Sequence, residues 1–304
     1  MNNRESKIRA LIAEAEHTLC EGPHSEQARR DAETLFLHVL RENSHTGHNV
    51  WLTHRGISQN FNSAWLIANG NLSTLPIISK KFRTLVNRRL TGEPIQYIVG
   101  ETEFYELPFR VAPDVFIPRP ETEHLVEKVL ELAASFHALR IVDIGTGSGA
   151  IAVALAHKLP QASITATDLT KSALAVARQN AKRNGAAIRF LQGDLLDPVA
   201  GEQFEIVVSN PPYVPLADRA ALAVEVRDHE PALALFAGDD GLDVCRRLIP
   251  AAFAALIPGG FLALEIGYSQ SEAIAALLAS SGFRQIEFLP DLQSIPRVAY
   301  AQRP

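Results

Sequence analysis

The spacing of apolar residues along the chain changes after about residue 90. Before that point they recur every three or four residues, which predicts amphipathic helices. From Leu139 onward, short apolar runs rich in β-branched residues alternate with helical patterns, as in a doubly wound sheet. We therefore predict a small helical domain over residues 1–90, a linker over 91–120 and an α/β domain over 121–304.

Seven apolar runs in the second part of the chain predict the strands of one sheet. They lie at 139–144, 163–168, 187–192, 204–209, 260–267, 284–290 and 297–302. Helical patterns separate most of them, which predicts parallel neighbours, whereas the loop between the last two is too short for a helix and predicts an antiparallel pair. The predicted fold class is α/β, with a doubly wound, seven-stranded, Rossmann-like sheet that has one antiparallel strand. The helical domain and a β-hairpin linker precede it.

The linker combines a predicted hairpin with a proline-rich approach to the α/β domain. The segment EFYELPFRV at 103–111 predicts a short hairpin centred on its Leu-Pro pair. Pro118 and Pro120 predict an extended stretch that leads into a helix over residues 121–133. Arg119 could be an ordinary surface cation, but its place between the two prolines favours a residue positioned for a site.

A predicted helix over 76–90 carries a run of cations, and two interpretations fit it. These cations are Lys80, Lys81, Arg83, Arg88 and Arg89. We favour a solvated helix face over a docking surface for an acidic or nucleic-acid-bearing partner. The polar stretch before this helix, from Asn43 to Asn71, predicts no element.

Composition describes an ordinary globular protein with two domains. The chain has 304 residues, of which 47% are hydrophobic and 21% charged. The net charge of -5 gives no general attraction to nucleic acid, so no stable nucleic-acid binding is expected, although a local basic patch stays possible. The N-terminus has no apolar signal region, and Pro258, Gly259 and Gly260 interrupt the most apolar stretch. We expect a monomer without membrane association.

Cysteine and histidine usage points away from disulfides and metals. Cys20 and Cys245 lie far apart and lack metal-ligand spacing, which predicts free, buried thiols in a reducing, cytoplasmic compartment. His45, His48 and His54 share a polar stretch without accompanying cysteine or acidic ligands, so no metal site is expected.

A glycine-rich loop follows the first predicted strand of the sheet. Its residues are Gly145, Thr146, Gly147, Ser148 and Gly149. The glycines permit a tight turn and a close approach of the backbone to a ligand at the N-terminus of the next helix. The spacing is G-x-G-x-G, which differs from the G-x-G-x-x-G of dinucleotide-binding loops.

Acidic residues end the next two predicted strands. Asp168 lies where a carboxylate can accept hydrogen bonds from both hydroxyls of a ribose. Asp194 lies at the matching place on the third strand, where it can accept from an exocyclic adenine amine while Leu195 covers the ring. Together with the glycine-rich loop, these residues predict a site for an adenine nucleoside without a pyrophosphate. S-adenosylmethionine fits that description.

The fourth predicted strand runs into Asn210, Pro211, Pro212 and Tyr213. Two prolines cannot extend a sheet, so they predict a rigid turn at the carboxyl end of the strand, where open α/β sheets bind ligands. If the Asn210 side-chain oxygen and the Pro211 carbonyl each accept one N–H of a planar NH2 group, its lone pair points out of the plane. Tyr213 can stack on such a group.

The methyl of a sulfonium is an electrophile that suits this arrangement. A structural strand-to-loop turn is the alternative for an isolated Asn-Pro-Pro-Tyr, but the glycine-rich loop upstream favours chemistry. We predict Asn210, Pro211 and Tyr213 as catalytic residues, with Pro212 joining them in substrate binding and Asn210 also bordering the cofactor. The predicted reaction is a direct in-line methyl transfer that requires no general base.

Nearly the whole chain resembles the class I S-adenosylmethionine-dependent methyltransferases, and specifically the HemK/PrmC protein-(glutamine-N5) methyltransferases of peptide chain release factors. The matching segments are GEPIQYIVG at 92–100, EFYELPFRV at 103–111, IPRPETEHLVE at 117–127, VDIGTGSGAIAVALA at 142–156, SNPPYVP at 209–215 and EPALALFAGDDGLD at 230–243. DNA adenine and RNA guanine methyltransferases share Asn-Pro-Pro-Tyr. Its combination with IPRPETE and a helical N-terminal domain is far more specific.

The resemblance implies roles for the predicted site residues. The 145–149 loop and Asp168 would bind S-adenosylmethionine, with Leu195 at the adenine, and residues 210–213 would hold the glutamine of a release factor's Gly-Gly-Gln loop. The N-terminal helices would contact the rest of that partner. This sequence departs from the family in two places: the family often has an aromatic residue where Leu195 stands, and segment 43–74 is longer and more polar.

Three alternatives share part of this pattern. One is glutamine N5-methylation of a large-subunit ribosomal protein, whose enzymes usually depart from the PRPETE wording. Another is N6-adenine methylation of nucleic acid, which needs base flipping and a basic recognition domain. The last is a nucleotide-binding scaffold with a decayed site, which the joint presence of the glycines, the acids and Asn210 disfavours.

Overall fold

A computed structural model describes residues 6–44, 61–291 and 293–304. The chain forms two compact units, one of Met1–Val99 with Val224–His229 and one of Gly100–Ala223 with Glu230–Pro304. The division differs from the predicted boundaries at 90 and 120, because the predicted linker is shared between the two units. Ile98 packs in the core of the first unit, whereas Phe104 and Phe109 of the hairpin pack in a core of the second.

The described helices and strands follow in chain order. The helices are α1 (Ile8–Leu19), α2 (Ala28–Ser44), α3 (Ser63–Asn69), α4 (Pro76–Leu90), α5 (Ile95–Val99), α6 (Thr122–Ala133), α7 (Ala150–Lys158), α8 (Lys171–Arg183), α9 (Val224–His229), α10 (Ala232–Leu235), α11 (Asp243–Ala255) and α12 (Ser271–Ser280). The strands are β1 (Glu101–Phe104), β2 (Leu107–Arg110), β3 (Arg140–Ile144), β4 (Ser163–Asp168), β5 (Ile188–Gln192), β6 (Phe204–Ser209), β7 (Leu256–Glu265), β8 (Arg284–Pro290) and β9 (Pro296–Gln302).

The first unit is a helical bundle with an apolar core. Its apolar faces come from α1, α2 and α4, and at its centre the rings of Phe36 and Phe82 meet edge to face with their centroids 5.1 Å apart. The polar stretch that predicted no element overlaps α3, which Asn62 caps by accepting from the Trp65 N–H at 2.9 Å. The three histidines named above and Trp51 lie outside the described residues.

Most of the predicted basic run on α4 is paired within this bundle. Lys81, Arg83 and Arg88 form ion pairs with acidic side chains at 2.7, 3.0 and 2.5 Å, respectively. Arg89 is buried, and its guanidinium bonds Asp31 at 2.6 Å. The run is therefore largely neutralised, which weighs against its interpretation as a docking surface.

The second unit is built on one seven-stranded sheet, so the predicted fold class is confirmed. Its strand order is β5-β4-β3-β6-β7-β9-β8, and β9 runs antiparallel to both of its neighbours while the other pairs are parallel. All seven predicted strands are present within a few residues of their expected ends. β7 begins earlier than predicted, at Leu256, because α11 leads directly into it and the Pro-Gly-Gly segment is part of the strand.

Two local predictions were wrong in detail. The hairpin turn is formed by Tyr105 and Glu106 and not by the Leu-Pro pair, since Phe104 pairs with Leu107 across a two-residue turn. Both turn residues have positive φ angles, 52° and 61°. Cys245 is a free, buried thiol as predicted, but Cys20 is free and exposed because it follows the last residue of α1 beyond the buried helix face.

The order of chain connections reverses between β3 and β6. From β3 the chain proceeds through β4 to β5 on one side, and β6 and β7 lie on the other. In open α/β sheets the ends of two such strands leave a crevice that binds ligands. The two ends are held together, because Ile144 pairs with Ser209 and the Ser209 hydroxyl donates to the Ile144 carbonyl at 2.7 Å. No helix in the described part of the chain has both the length and the apolar character needed to cross a membrane.

Candidate active site

A cavity of about 540 Å³ opens at this crevice in the second unit. Its wall contains most of the predicted site residues, namely Gly145, Thr146, Gly147, Ser148, Asp168, Asp194, Leu195, Asn210, Pro212 and Tyr213. Two predicted residues, Gly149 and Pro211, are not part of the wall. The sheet thus brings the glycine-rich loop and the Asn-Pro-Pro-Tyr turn to one cavity.

The three glycines of the loop meet different surroundings. All have positive φ angles, of 69° at Gly145, 55° at Gly147 and 82° at Gly149. A Cβ at Gly145 would meet no protein atom within 4 Å, so this part of the loop faces open space. A Cβ at Gly149 would lie 3.1 Å from Ala177 of α8. The third glycine therefore allows α8 to pack against the loop, while the first borders the cavity.

Asp168 is held in place by three hydrogen bonds at the carboxyl end of β4. One carboxylate oxygen accepts from the Gly147 N–H at 2.9 Å, and the other accepts from the backbone N–H and hydroxyl of Thr170 at 2.9 and 3.1 Å. Each carboxylate oxygen can accept further bonds through its remaining lone pairs. The carboxylate is thus fixed against the glycine-rich loop and can still receive ligand hydroxyls.

Asp194 and Leu195 line the cavity, and both have features that the sequence did not predict. The Asp194 carboxylate forms an ion pair with the guanidinium of Arg247, which also lines the cavity. Leu195 has a φ of 47°, and its carbonyl accepts from the Thr167 hydroxyl at 2.9 Å. No sequence pattern indicated that Arg247 of α11 would pair with the acidic residue at the end of the third strand.

The Asn-Pro-Pro-Tyr turn is pinned by backbone contacts to the segment before α11. Val214 donates its N–H to the Leu235 carbonyl at 2.9 Å, and its own carbonyl accepts from Ala237 at 3.1 Å. The Gln270 side-chain amide donates to the Tyr213 carbonyl at 3.0 Å. A Cβ at Gly241 would lie 2.2 Å from that carbonyl oxygen, so the approach requires glycine. The two prolines predict a rigid turn, and the hydrogen bonds to Val214 and Tyr213 restrain it further.

Two residues that sequence reasoning missed contact this turn: Thr122, which also lies on the cavity wall, and Glu265, which does not. The Asn210 side-chain nitrogen donates to the Thr122 hydroxyl at 3.1 Å, and that hydroxyl donates to the Glu265 carboxylate at 2.6 Å. The other oxygen of Glu265 accepts from the Tyr213 hydroxyl at 3.3 Å. Burial raises the pKa of Glu265, which these hydrogen bonds partly oppose, and burial also raises the pKa of Tyr213. Thr122 lies in the PRPETE segment, but no sequence signal connects it to Asn210.

The glycine-rich loop also has buried polar support that the sequence analysis missed. Thr146 donates its hydroxyl to Asp143 at 2.6 Å, and burial raises the pKa of this carboxyl to about 7. Asn180 of α8 donates to the Ser148 carbonyl at 2.8 Å and exchanges two hydrogen bonds with the backbone of Arg110 in β2. The hairpin and the loop are thus connected through one buried amide. The only sequence feature that could have indicated this role is the position of Asp143 inside the otherwise mostly apolar strand β3.

Arg119 takes a structural position beside the cavity. Its guanidinium forms an ion pair with Glu230, whose carboxylate is buried, and lies 4.6 Å from the centroid of the Phe116 ring. Glu230 also accepts from the Ile117 N–H at 3.4 Å. These contacts explain why the cation is held between two prolines: it compensates a buried carboxylate.

Two known protein domains match this chain. Residues 120–226 match the Methyltransferase small domain, and residues 10–100 match the PrmC N-terminal domain. A release factor glutamine methyltransferase of Moorella thermoacetica is 45% identical over 78% of this chain and 85% of its own length. One from Xylella fastidiosa strain 9a5c is 36% identical over 91% of this chain and 94% of its own length. The chain belongs to the release factor glutamine methyltransferase family.

Membership of the release factor glutamine methyltransferase family confirms the predicted enzyme class and the stated resemblance. Solved structures agree on the fold. The hMettl16 catalytic domain in complex with a 3′UTR hairpin has a TM-score of 0.54 at 16% identity, covering 81% of this chain and 87% of that one. A T. thermophilus 16S rRNA methyltransferase in complex with AdoMet and guanosine has a TM-score of 0.51 at 19% identity, covering 67% of this chain and 50% of that one.

Proposed function

We propose that this protein transfers a methyl group from S-adenosylmethionine to the side-chain nitrogen of the glutamine in the Gly-Gly-Gln motif of peptide chain release factors. The observation that carries the proposal is the shared cavity at the β3 and β6 ends, with the glycine-rich loop and the Asn-Pro-Pro-Tyr turn on its wall. Relatives that match most of the chain are named for this reaction. We also propose that the helical unit contributes to recognition of the release factor.

Features of the cavity fit S-adenosylmethionine. Its volume of about 540 Å³ falls in the range of small-molecule sites. The open space at Gly145 leaves room for a ligand against the backbone, and the carboxylate of Asp168 lies beside it with unused lone pairs. Leu169 and Leu195 offer apolar surface for an adenine. Asp194 would recognise the adenine amine only in competition with its partner Arg247.

The reaction needs positioning more than it needs acid or base. S-adenosylmethionine, when bound, supplies a methyl group on a positively charged sulfur. The Asn210 oxygen would accept one N–H of the glutamine amide, while the Tyr213 ring stacks on its plane; both residues are on the cavity wall. The second proposed acceptor is the carbonyl of Pro211, which adjoins Asn210 in the chain but is not part of that wall. Orientation of this kind can contribute about 7–11 kcal/mol to the lowering of the barrier. As the carbon–nitrogen bond forms and the carbon–sulfur bond breaks, the nitrogen becomes acidic and its proton leaves to water.

The proposal is tested by following a labelled methyl group. The protein is incubated with S-adenosylmethionine and, in parallel, with a full-length release factor, a large-subunit ribosomal protein or an adenine-containing oligonucleotide. We expect mass spectrometry to find one methyl on the Gly-Gly-Gln glutamine. Label on the ribosomal protein alone, on the oligonucleotide alone or on none of them would overturn the proposal in favour of the corresponding alternative.

Asn210→Ala tests the assignment of the amide acceptor. Loss of one positioned hydrogen-bond partner should lower the single-turnover rate by roughly 100- to 1,000-fold. Affinity for S-adenosylhomocysteine, measured by calorimetry, should stay close to wild type. Asn184→Ala is the matched control, since its amide bonds the Pro108 carbonyl at 3.0 Å in the hairpin and lies outside the cavity wall. An unchanged rate in Asn210→Ala would refute the assignment.

A further inference from the structure

A chain of hydrogen bonds runs from a buried carboxylate to the amide of Asn210. Glu265, at the end of β7, is 3% exposed, and Thr122, at the start of α6, is 4% exposed. The Thr122 hydroxyl is 2.6 Å from the Glu265 carboxylate and 3.1 Å from the Asn210 nitrogen. Thr122 is 143 positions from Glu265 and 88 positions from Asn210 in the sequence, so only the fold brings the three residues together.

The direction of this chain follows from counting protons. An ionised carboxylate only accepts, so Thr122 must give its single hydroxyl proton to Glu265. The Thr122 oxygen can then only accept from its other neighbour, which requires the NH2 group of Asn210 and not its oxygen. The Asn210 oxygen is left on the other side of the carboxamide, and Asn210 lines the cavity. The buried acid thereby decides which end of the amide is available to a ligand.

The same carboxylate also contacts the aromatic member of the turn. Its second oxygen accepts from the Tyr213 hydroxyl at 3.3 Å, a longer contact than the one to Thr122. Tyr213 is further fixed by the Gln270 bond to its carbonyl. A single acidic side chain therefore lies behind both the amide and the ring of the turn.

We propose that Glu265 and Thr122 are positioning residues that orient the Asn210 oxygen towards the methyl-accepting nitrogen and hold the Tyr213 ring beside it. The proposal deepens the function proposed above and rests on it for the identity of the substrate. An acceptor at this position selects a substrate group that donates an N–H. If the chain of bonds were reversed, Asn210 would present its NH2 group and would repel the N–H of a carboxamide.

Several charged groups affect the pKa values of Glu265 and Tyr213. Burial is the main cause of the raised pKa of Glu265, and Glu121 at the start of α6 raises it further. Arg297 from β9 and Arg119 from the linker act on the adjacent Tyr213, where they oppose the effect of burial. The carboxylate is ionised above its raised pKa and protonated below it. Only the ionised form dictates the direction derived above.

Once protonated, Glu265 would no longer fix the orientation of the Asn210 amide, so kcat should depend on pH. A protonated Glu265 can donate to Thr122, which can then donate to the Asn210 oxygen and turn the amide round. We expect the wild-type kcat for release factor methylation to fall on the acid side of the raised Glu265 pKa. Asn210 also acts directly on Glu265 as a hydrogen-bond donor that lowers the pKa of this carboxyl. Thr122→Val removes only the connection through the hydroxyl, so this acid limb should become smaller in the kcat profile.

The main test compares Thr122→Val with Thr122→Ser. Valine keeps the shape of threonine without its hydroxyl, and we expect kcat to fall about 100-fold with little change in the KM for the release factor. Serine restores the hydroxyl and should retain most of the wild-type kcat. Thr165→Val is the matched control, because Thr165 is a buried β4 residue outside the cavity wall. Equal kcat values for wild type and Thr122→Val would overturn the proposal.

A double-mutant cycle separates positioning from a structural role. In an Asn210→Ala background there is no amide to orient, so adding Thr122→Val should change kcat very little. An equally large loss in that background would contradict the proposal. The thermal midpoint should be the same in Thr122→Val and Thr165→Val, which checks that both variants are folded. Because Thr122 is itself on the cavity wall, binding of S-adenosylhomocysteine is measured separately for each variant.

A readout without substrate distinguishes failure of this inference from failure of the proposed function. The side-chain NH2 signals of Asn210 in ¹⁵N-labelled protein should show slow hydrogen exchange, which becomes faster in Thr122→Val. If the wild type does not methylate the release factor but this difference is seen, the substrate is wrong and the positioning stands. If the Asn210 signals do not respond to Thr122→Val, the positioning is wrong whatever the substrate.

Discussion

Single residues show how far chemistry could be predicted from sequence. Asp168 was predicted from its place at the end of a strand, and its carboxylate does lie against the glycine-rich loop. Thr122 and Glu265 could not be predicted in this way, because their connection to Asn210 depends on contacts between distant parts of the chain. A residue's position at the carboxyl end of a strand predicts that it borders the ligand crevice. It does not predict which distant residues form hydrogen bonds with it.

Asp168→Ala should weaken cofactor binding more than it weakens the chemical step. Loss of charged hydrogen bonds of this kind costs about 1.5–3 kcal/mol each, so we expect at least a tenfold rise in the Kd for S-adenosylhomocysteine. Asp194→Ala is the comparison, and its effect should be smaller because that carboxylate is already paired with Arg247. Calorimetric titration of both variants decides the question, and a larger effect at Asp194 would reverse the roles proposed for the two acids.

Asp143→Asn should stabilise the protein at alkaline pH and lose that advantage in acid. Burial raises the folded-state pKa of Asp143 to about 7, above the ordinary value of an unfolded aspartate. The folded state therefore binds this proton more tightly, and the associated stability is complete below the unfolded pKa and is lost as the pH rises through 7. A neutral amide avoids that loss.

Urea unfolding at several pH values measures the effect. We expect Asp143→Asn to exceed wild type in free energy of unfolding by about 1–3 kcal/mol at pH 8, with the difference shrinking towards pH 5. Asp218→Asn changes an exposed carboxyl and should show little difference at any pH. A difference between Asp143→Asn and wild type that does not vary with pH would contradict the origin assigned to it.

At the scale of elements, hydrophobic periodicity predicted the strands of the sheet better than the short helices and turns that connect them. All seven strands were found. The central strands β3 and β6 are mostly apolar runs because they are buried on both faces, whereas the edge strands β5 and β8 are largely half-buried or exposed and mix apolar with polar residues. The short helices α5, α9 and α10 were missed, since four to six residues are too few to show a helical period. The hairpin turn was misplaced because Tyr105 and Glu106 carry no turn signal, whereas Pro108 suggested one and instead lies within β2.

The turn of the hairpin offers a gain in stability. Glu106 has a φ of 61°, which costs a residue with a Cβ about 1–2 kcal/mol and costs glycine much less. Glu106→Gly should therefore raise the free energy of unfolding by about 0.5–1 kcal/mol. Glu103→Gly places the same substitution in β1, where it should destabilise. Thermal or urea unfolding compares the two, and a loss of stability in Glu106→Gly would show that the Glu106 side chain matters more than its backbone strain.

At the scale of the whole molecule, the sequence predicted two bodies but not how the chain divides between them. A change of hydrophobic period marks where helices give way to a sheet, and it placed the boundary near residue 90. It contains no information on Val224–His229, which leaves the second unit and returns to the first. The reason becomes visible only in three dimensions: Glu225 bonds the buried Arg89 at 3.0 Å, and Val224 packs where Gly92 has no side chain.

Breaking the buried ion pair in the helical unit should strongly destabilise that unit, because it leaves a buried charge uncompensated. Arg89 is 2% exposed and bonds Asp31 at 2.6 Å and Glu225 at 3.0 Å. Removing Asp31, which is equally buried, leaves a guanidinium without its main partner, so Asp31→Ala should lower the free energy of unfolding by about 3–5 kcal/mol. The Glu225 side chain is 32% exposed, so Glu225→Ala should cost much less, because water can replace it. Denaturant unfolding of both variants tests this order, and equal losses would show that exposure does not determine the strength of the two contacts.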